Sequence, residues 1–327
     1  VTELGLDYPV STERISSGIS RLDEMLGGQG FYRASSILLS GTAGTGKSSV
    51  SASFADAACA RGENVLYISF EESSTQIMRN MSSIGIDLRR WRDQGRLSFH
   101  TARVATYGLE EHFFVVKELV DRDAPDAVIV DPVSNLLQIG SPEEVKNLLT
   151  RLIDMLKSRG ITTLTTELTT GGDPMEATNT DISSLMDAWL LLRDIESGGE
   201  RNRVLYVLKA RGISHSKQVR EFLLSDSGIS LMDVYTGPAG LITGTARYTH
   251  EAQEKAERER RREEIERKKR ELKRKHQAKE ARLKEIEAEF RGEEEELERA
   301  IREAEEEEKK YEEREWTRRQ LRGGIWA

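Results

Sequence analysis

The stretch Gly41-Thr42-Ala43-Gly44-Thr45-Gly46-Lys47-Ser48 satisfies every fixed position of the phosphate-loop pattern G-x-x-x-x-G-K-[ST]. Its surroundings agree. Before it stands Ser36-Ile37-Leu38-Leu39-Ser40, a short apolar strand, and after it Ser49 to Ala60, an Ala- and Ser-rich helix stopped by Gly62. A strand, a Gly-rich loop and a helix in that order form a phosphate cradle. Glycines let backbone N–H groups converge on phosphate oxygens, and the helix N-terminus adds positive potential. The expected phosphate-binding set is Thr42, Ala43, Gly44, Thr45, Gly46, Lys47, Ser48 and Ser49. Lys47 is expected to reach the β- and γ-phosphates of ATP, and Ser48 to offer its hydroxyl to Mg²⁺.

Outward from the loop, strands alternate with helices. Asn64–Phe70, Leu97–His100, Ala127–Val130 and Ile161–Glu167 read as strands. Ser73–Ile84, Gly108–Arg122 and Pro142–Arg159 read as helices. Trp189–Leu192 and Arg203–Leu208 add two further strands, and Glu221–Leu224 is read as the strand that closes the sheet. The order predicts an α/β fold with a mostly parallel sheet, helices on both faces, and ligands at the strand C-termini. Glu71, Glu72 and Asp131 all fall at such ends. Asp131 follows four apolar residues, the setting of an aspartate that holds Mg²⁺ through water. Adjacent carboxylates repel, so one of the pair Glu71–Glu72 gains proton affinity and suits a base acting on water or on a protein hydroxyl. Glu72 is also counted with Ser48 and Asp131 as a metal contact. Lys209 and Arg211 follow a strand and precede a turn, where cations of ring-forming ATPases reach a neighbour's γ-phosphate.

Composition bounds the rest. The chain has 327 residues, a formal charge of -8 and 32% charged residues, an excess concentrated after about His250. Its single cysteine, Cys59, excludes an intramolecular disulfide and fits a reducing compartment, which points to the cytoplasm. No apolar run is of membrane-spanning length. The chain starts at Val1 and not at Met, so it reads as the later part of a longer polypeptide. Two domains are expected, residues 1–247 and a charged helical tail over 248–327.

The set Arg14-Ile15-Ser16-Ser17-Gly18, Leu22-Asp23-Glu24-Met25, Gly27-Gly28-Gln29-Gly30-Phe31, the phosphate loop, Phe70-Glu71-Glu72-Ser73, Gln76, Arg79-Asn80 and Lys209-Ala210-Arg211-Gly212 is similar to the KaiC family of circadian-clock ATPases and autokinases, within the RecA/DnaB superfamily. The likeness covers roughly residues 10–245 and resembles the family's C-terminal half. It implies a RecA-like core, a homo-hexameric ring with ATP between subunits, and regulatory partners of the KaiB type. It also implies phosphorylation of two adjacent hydroxyls, which fall here on Ser183 and Ser184, with Thr178 nearby. Two positions depart from the family pattern: Gln138 stands where a basic residue is expected, and Asp181 replaces a different polar residue. The family's short activator-binding peptide gives way here to some 75 further residues.

That tail has no Pro between Thr249 and Arg322, and only Gly292 interrupts a strongly helical composition. Two columns recur at sevenfold spacing. Leu283, Phe290, Leu297, Ala304 and Tyr311 form one; Ile265, Leu272, Lys279, Ile286, Glu293 and Ala300 form the other. The expectation is a weak coiled coil joining two rings tail to tail. Three functions share this core: an ATP-hydrolysing autokinase acting as a timer or switch, a DNA motor, and a nucleotide-gated scaffold. The stretch Thr169–Asp181 carries acids and no base, and the tail's cations alternate with Glu, so nucleic acid is not expected as a partner.

Overall fold

A computed structural model describes residues 10–169, 182–197, 200–237 and 240–323. Thr178, Asp181 and the rest of residues 170–181 therefore lie outside the described residues. The chain divides into two compact units, Val1–Tyr248 and Thr249–Ala327.

The first unit opens with β1 (Arg14–Ile15), α1 (Ser20–Met25) and β2 (Phe31–Tyr32), the two short strands pairing antiparallel. Next come β3 (Ser36–Gly41), α2 (Lys47–Ala60), β4 (Val65–Ser69), α3 (Ser74–Ser82), α4 (Arg89–Asp93) and β5 (Leu97–Thr101). After these run α5 (Leu109–Asp123), β6 (Ala127–Asp131), α6 (Pro142–Ser158) and β7 (Thr162–Leu168). The later strands are β8 (Ala188–Ser197), β9 (Glu200–Ala210), β10 (Arg220–Ser225) and β11 (Gly228–Asp233). A small pair, β12 (Tyr235–Gly237) and β13 (Gly240–Ile242), precedes the long helix α7 (Gly244–Gly323).

Nine strands form one sheet in the order β11-β10-β9-β8-β3-β7-β6-β4-β5. From β8 to β5 the strands run parallel, while β9, β10 and β11 run antiparallel to their neighbours. The apolar runs are unbroken because both faces are covered. Along β3, Ile37 and Leu39 enter one core and Leu38 the other; along β4, Val65 and Tyr67 part from Leu66 and Ile68 in the same way. Leu22, Phe54 and Ile77 from α1, α2 and α3 fill the first core, and Val116 and Leu152 from α5 and α6 fill the second. Serines start two helices as the sequence signals require. Ser73 and Ser141 each accept from the backbone N–H three residues on, and Gln76 and Glu144 close the capping boxes.

One expectation changes. β10 does not close the sheet, because β11 pairs along its whole length and forms the edge. Asp226 and Ser227 make the turn between them, and Gly228 follows with φ of +100°, a conformation glycine adopts without strain. The short β11 run was hidden by its alternation of polar and apolar residues.

The start of α7 is tied to the sheet through one buried carboxylate. Glu221, 1% exposed, accepts from the Gly244 backbone N–H at 2.8 Å and lies 3.1 Å from the Arg247 guanidinium, itself 3% exposed. Thr245 donates from its N–H and hydroxyl to Glu200. In the second unit the described residues continue as helix, with repeated i,i+4 ion pairs such as Glu257–Arg261 and Glu264–Lys268. Among the described residues no helix is long and apolar enough to cross a membrane.

Removing one member of a buried ion pair leaves the other charged and unpaired, at a cost of about 3–5 kcal/mol. Glu221→Gln should therefore lower the unfolding midpoint of the first unit markedly in denaturant titrations, whereas Glu257→Gln on the exposed helix should leave it unchanged. Equal midpoints for the two variants would contradict this role of Glu221.

Candidate functional site

The loop between β3 and α2 opens at the C-terminal edge of the sheet. Gly46 holds φ of +103° at the N-cap of α2, and a Cβ there would stand 2.8 Å from the Phe222 ring. Gly44, at φ of +80°, faces open space: nothing lies within 4 Å of the Cβ it lacks. The loop is thus backed by packed side chains on one side and open on the other, the shape a phosphate cradle needs. Thr45, fully buried, donates from its hydroxyl to the Thr42 carbonyl at 2.9 Å and ties the loop to itself. Lys47 is 7% exposed and donates to the carbonyls of Gly41 and Thr42 at 2.8 and 2.7 Å. Burial pushes its ammonium down to about 8, against the pull of Asp131, Glu71 and Asp194.

Beside the loop lies a cleft of about 340 Å³. Ala43, Gly44, Gly46, Lys47, Ser48 and Ser49 line one side, and Ser69, Glu71, Glu72 and Asp131 the other. Thr42 and Thr45 do not line it; they shape the loop. So the sequence-predicted acids and the loop meet in one cavity, although β4, β6 and β3 are separated by other strands or by intervening chain. Asp131 is held by both neighbouring strands. It accepts from the Tyr67 hydroxyl at 2.8 Å and from the Thr166 hydroxyl. Burial and the charge of Asp131 together push the Tyr67 phenol well above its ordinary range, which keeps it a donor. Glu72 is half-buried, and burial first, then Asp131 and Glu71, raise its proton affinity; the Asn80 amide at 3.5 Å opposes them. Glu71 is exposed at the cleft rim.

The other predicted residues gather at the opposite edge of the sheet. Ser183 and Ser184 sit in the turn before β8, the first half-buried and the second exposed. Lys209, near the end of β9, donates to the Ser183 carbonyl at 3.0 Å, and Arg211 donates to the Ser184 carbonyl at 2.7 Å. Arg211 also lies 3.7 Å from Asp187, which pairs with Lys157 at 2.6 Å and accepts from the Ser36 N–H. The Lys209 ammonium is lowered by burial and by neighbouring Arg211. None of these four residues lines the cleft. Leu192 pairs with Gly41 beside the loop, so the four steps from Ala188 to Leu192 alone put roughly 13 Å of strand between the two clusters. Gln138 is exposed in the 3-10 turn after β6.

Sequence reasoning missed Arg203, which also lines the cleft. It lies on β9 opposite Asp194 and Phe222, and no local motif marks it. It also missed Tyr67 and Thr166, whose role depends on strand order. Among the described residues no group of three His, Cys, Asp or Glu could hold a metal ion by itself. The donor set of Ser48, Asp131 and Glu72 instead fits a hard cation that keeps waters and phosphate oxygens, as Mg²⁺ does.

Comparison with known proteins gives the family. The family described as "ATPase: KaiC" matches residues 15–235. The circadian clock protein KaiC2 of Synechocystis sp. is 48% identical over 265 residues, covering 80% of this chain and 47% of that protein. KaiC3 of the same organism is 34% identical over 261 residues, covering 79% and 51%. The circadian clock oscillator protein KaiC of Parathermosynechococcus lividus is 37% identical over 238 residues, covering 72% and 43%. The chain thus spans about half the length of the curated relatives it matches.

Nucleotide affinity should depend on pH through Lys47. Its ammonium is protonated below about 8 and neutral above it, and bound phosphates raise its proton affinity. Affinity should then be flat just below pH 8, fall above it, and binding there should take up a proton. Calorimetry in buffers of different ionisation enthalpy reads that proton directly; affinity that rises with pH above 8 would overturn the assignment.

Proposed function

We propose, for a chain that belongs to the KaiC ATPase family, an ATP-hydrolysing autokinase that works as a homo-hexameric ring and serves as a timer or switch. One observation carries the reading. Ser183 and Ser184 share a cluster with Lys209 and Arg211, and that cluster lies at the sheet edge away from the chain's own phosphate loop. Donor and acceptor on opposite edges of one sheet cannot react within one chain. In a ring built from a repeated head-to-tail contact, each chain's far edge meets the next chain's loop.

In this reading Gly44, Gly46, Lys47 and Ser49 hold the phosphates of ATP. Ser48, Glu72 and, through water, Asp131 hold Mg²⁺; both Asp131 oxygens already accept a hydrogen bond and keep lone pairs for a water. The cation, when bound, neutralises phosphate charge. Glu71 or Glu72 takes the proton of the neighbour's serine hydroxyl as the serine oxygen bonds to the γ-phosphorus and the bond to ADP breaks. The raised proton affinity of Glu72 suits that step. Lys209 and Arg211 of the chain that carries the serines stabilise the charge that develops. A phosphoserine adds nearly two negative charges at a subunit boundary, enough to bias a two-state equilibrium. Water in place of the serine gives hydrolysis from the same geometry.

The tail is read as a coiled coil that joins two rings. Regulatory partners of the KaiB type and a cytoplasmic setting belong to the same proposal. A nucleotide-gated scaffold is the second reading, favoured by the apolar side chains that α7 leaves exposed, such as Phe290 and Leu297; it turns ATP over slowly and carries no phosphoserine.

Phosphorylation between chains has a direct test. A Lys47→Ala chain cannot present ATP but keeps its serines; a Ser183→Ala, Ser184→Ala chain presents ATP but has no acceptor. Mixed and incubated with Mg²⁺ and ATP, only the Lys47→Ala chain should carry phosphate on phosphopeptide mass spectrometry. No phosphate on Ser183 or Ser184 of the unaltered protein would leave the scaffold reading in its place.

A further inference from the structure

At the sheet edge away from the phosphate loop a second cavity opens, of about 500 Å³. It shares no lining residue with the cleft beside that loop. We propose that it binds a phosphate monoester with a flat apolar body, and that Lys157 and Arg211 hold the phosphate. The inference needs neither a ring nor the serines as acceptors.

Five segments distant in sequence or structure build the wall. Lys157 comes from the last turn of α6, Asp187 stands just before β8, and Arg211 just after β9. Arg33 and Ser35 flank Ala34 in the link from β2 to β3, and all three line the cavity. Ala34 holds φ of +63°, a left-handed conformation uncommon for a residue with a side chain, and its N–H is held by the Thr162 hydroxyl at 3.0 Å. The chain is bent at that point against its own preference.

Charge and hydrogen-bond capacity say what the wall would hold. Lys157 is 8% exposed, and among the described residues Asp187, at 2.6 Å, is the one partner of its ammonium. An ammonium has three protons, so two are left over. Asp187 is already well supplied, because it also accepts from the Ser36 N–H and hydroxyl at 2.9 and 3.0 Å. Arg211 lies 3.7 Å from Asp187, a loose contact, and is half exposed. Two cations against one carboxylate leave a single positive charge in excess. Arg33 adds little to it, since Glu13 and Glu63 pair with it; its Nη1 makes no hydrogen bond among the described residues. The Ser35 hydroxyl is buried without a partner, a state native structures rarely leave unexplained. Surplus donors beside surplus positive charge suit an anion, and the three acceptor oxygens of a phosphate match them better than the two of a carboxylate.

The remaining wall selects the body. The cavity exceeds what a phosphate alone fills and falls in the size range of small-molecule sites. Val10, Ala34 and Tyr32 line it. The Tyr32 ring is fixed, with its hydroxyl donating to the Gly212 carbonyl at 3.3 Å and the Arg14 guanidinium 4.7 Å from its centre. A fixed ring offers a flat surface at no further cost in side-chain freedom.

Calorimetry on the full-length chain tests the assignment, with Mg²⁺ and a non-hydrolysable ATP analogue in excess to fill the phosphate loop. Phenyl phosphate is the probe, and inorganic phosphate and benzyl alcohol supply its two halves. Phenyl phosphate should bind about tenfold more tightly than inorganic phosphate, the gain expected from burying a ring, and benzyl alcohol should not bind measurably. Lys157→Met should weaken phenyl phosphate and inorganic phosphate alike, by about tenfold or more. Tyr32→Leu should weaken phenyl phosphate alone. Because Lys157→Met leaves a buried carboxylate short of its partner, Tyr32→Leu decides the matter if that variant does not fold. No heat from phenyl phosphate at millimolar concentration, or the same affinity in both variants as in the unaltered chain, would overturn the proposal. Equal affinity for phenyl phosphate and inorganic phosphate would make free phosphate the occupant and overturn the ester.

Discussion

Asp131 accepts hydrogen bonds from Tyr67 on β4 and from Thr166 on β7, the strands on either side of its own. That shared carboxylate sets the geometry of the whole cleft. It fixes the carboxylate's position relative to the phosphate loop, which leaves β3 beside β7. It also places a negative charge that holds a proton on Tyr67, raises the proton affinity of Glu72 and partly offsets the burial of Lys47. Each of these effects acts through a low-dielectric interior, where a displaced charge is felt strongly. A carboxylate without its two donors would turn freely and could not position a bound cation.

The strand order explains why the candidate site gathers at this edge. β3 is flanked by β7 and β8, which the chain reaches only later, so successive loops at the C-terminal edge are drawn together around the phosphate loop. Antiparallel β9 and β10 then bring Arg203 and the Phe222 ring to the same edge, while the far end of β9 carries Lys209 to the other, beside the Ser183 turn that precedes β8. One sheet therefore exposes two chemically different rims: one with the Gly-rich loop and carboxylates, and one with hydroxyls and cations. In the proposed ring they would complement each other between molecules and not within one.

The legible parts of this architecture were those encoded locally. The phosphate loop carries its own glycines and lysine, and the acids end recognisable apolar runs. The buried strands read as continuous apolar stretches because two helical layers cover them. The parts that escaped depend on register between distant segments. Tyr67 and Thr166 are 64 and 35 residues from Asp131, and neither is unusual on its strand. Arg203 looks like any alternating polar residue until β9 is placed against β8. The edge strand β11 was missed for a related reason: a strand with one polar face carries half the apolar signal of a buried one.

The tail poses the opposite problem, since its pattern is legible and its strength is not. A buried Leu, Ile or Phe side chain contributes about 1.5–3 kcal/mol, and the two columns hold few of them. A single pair of such helices must also lose the conformational freedom of many long Lys, Arg and Glu side chains. The exposed ion pairs along the helix add little, because they are weak and screened. Avidity resolves the imbalance. In the proposed ring, tails held together would be at high local concentration, so once one pair formed between two rings the rest would pair as intramolecular events. A seam too thin to join two free helices can then hold two rings together, and any change in a ring that moves its tails alters all the pairs at once. Weakness in the single pair is what would let such a joint respond to the state of the ring.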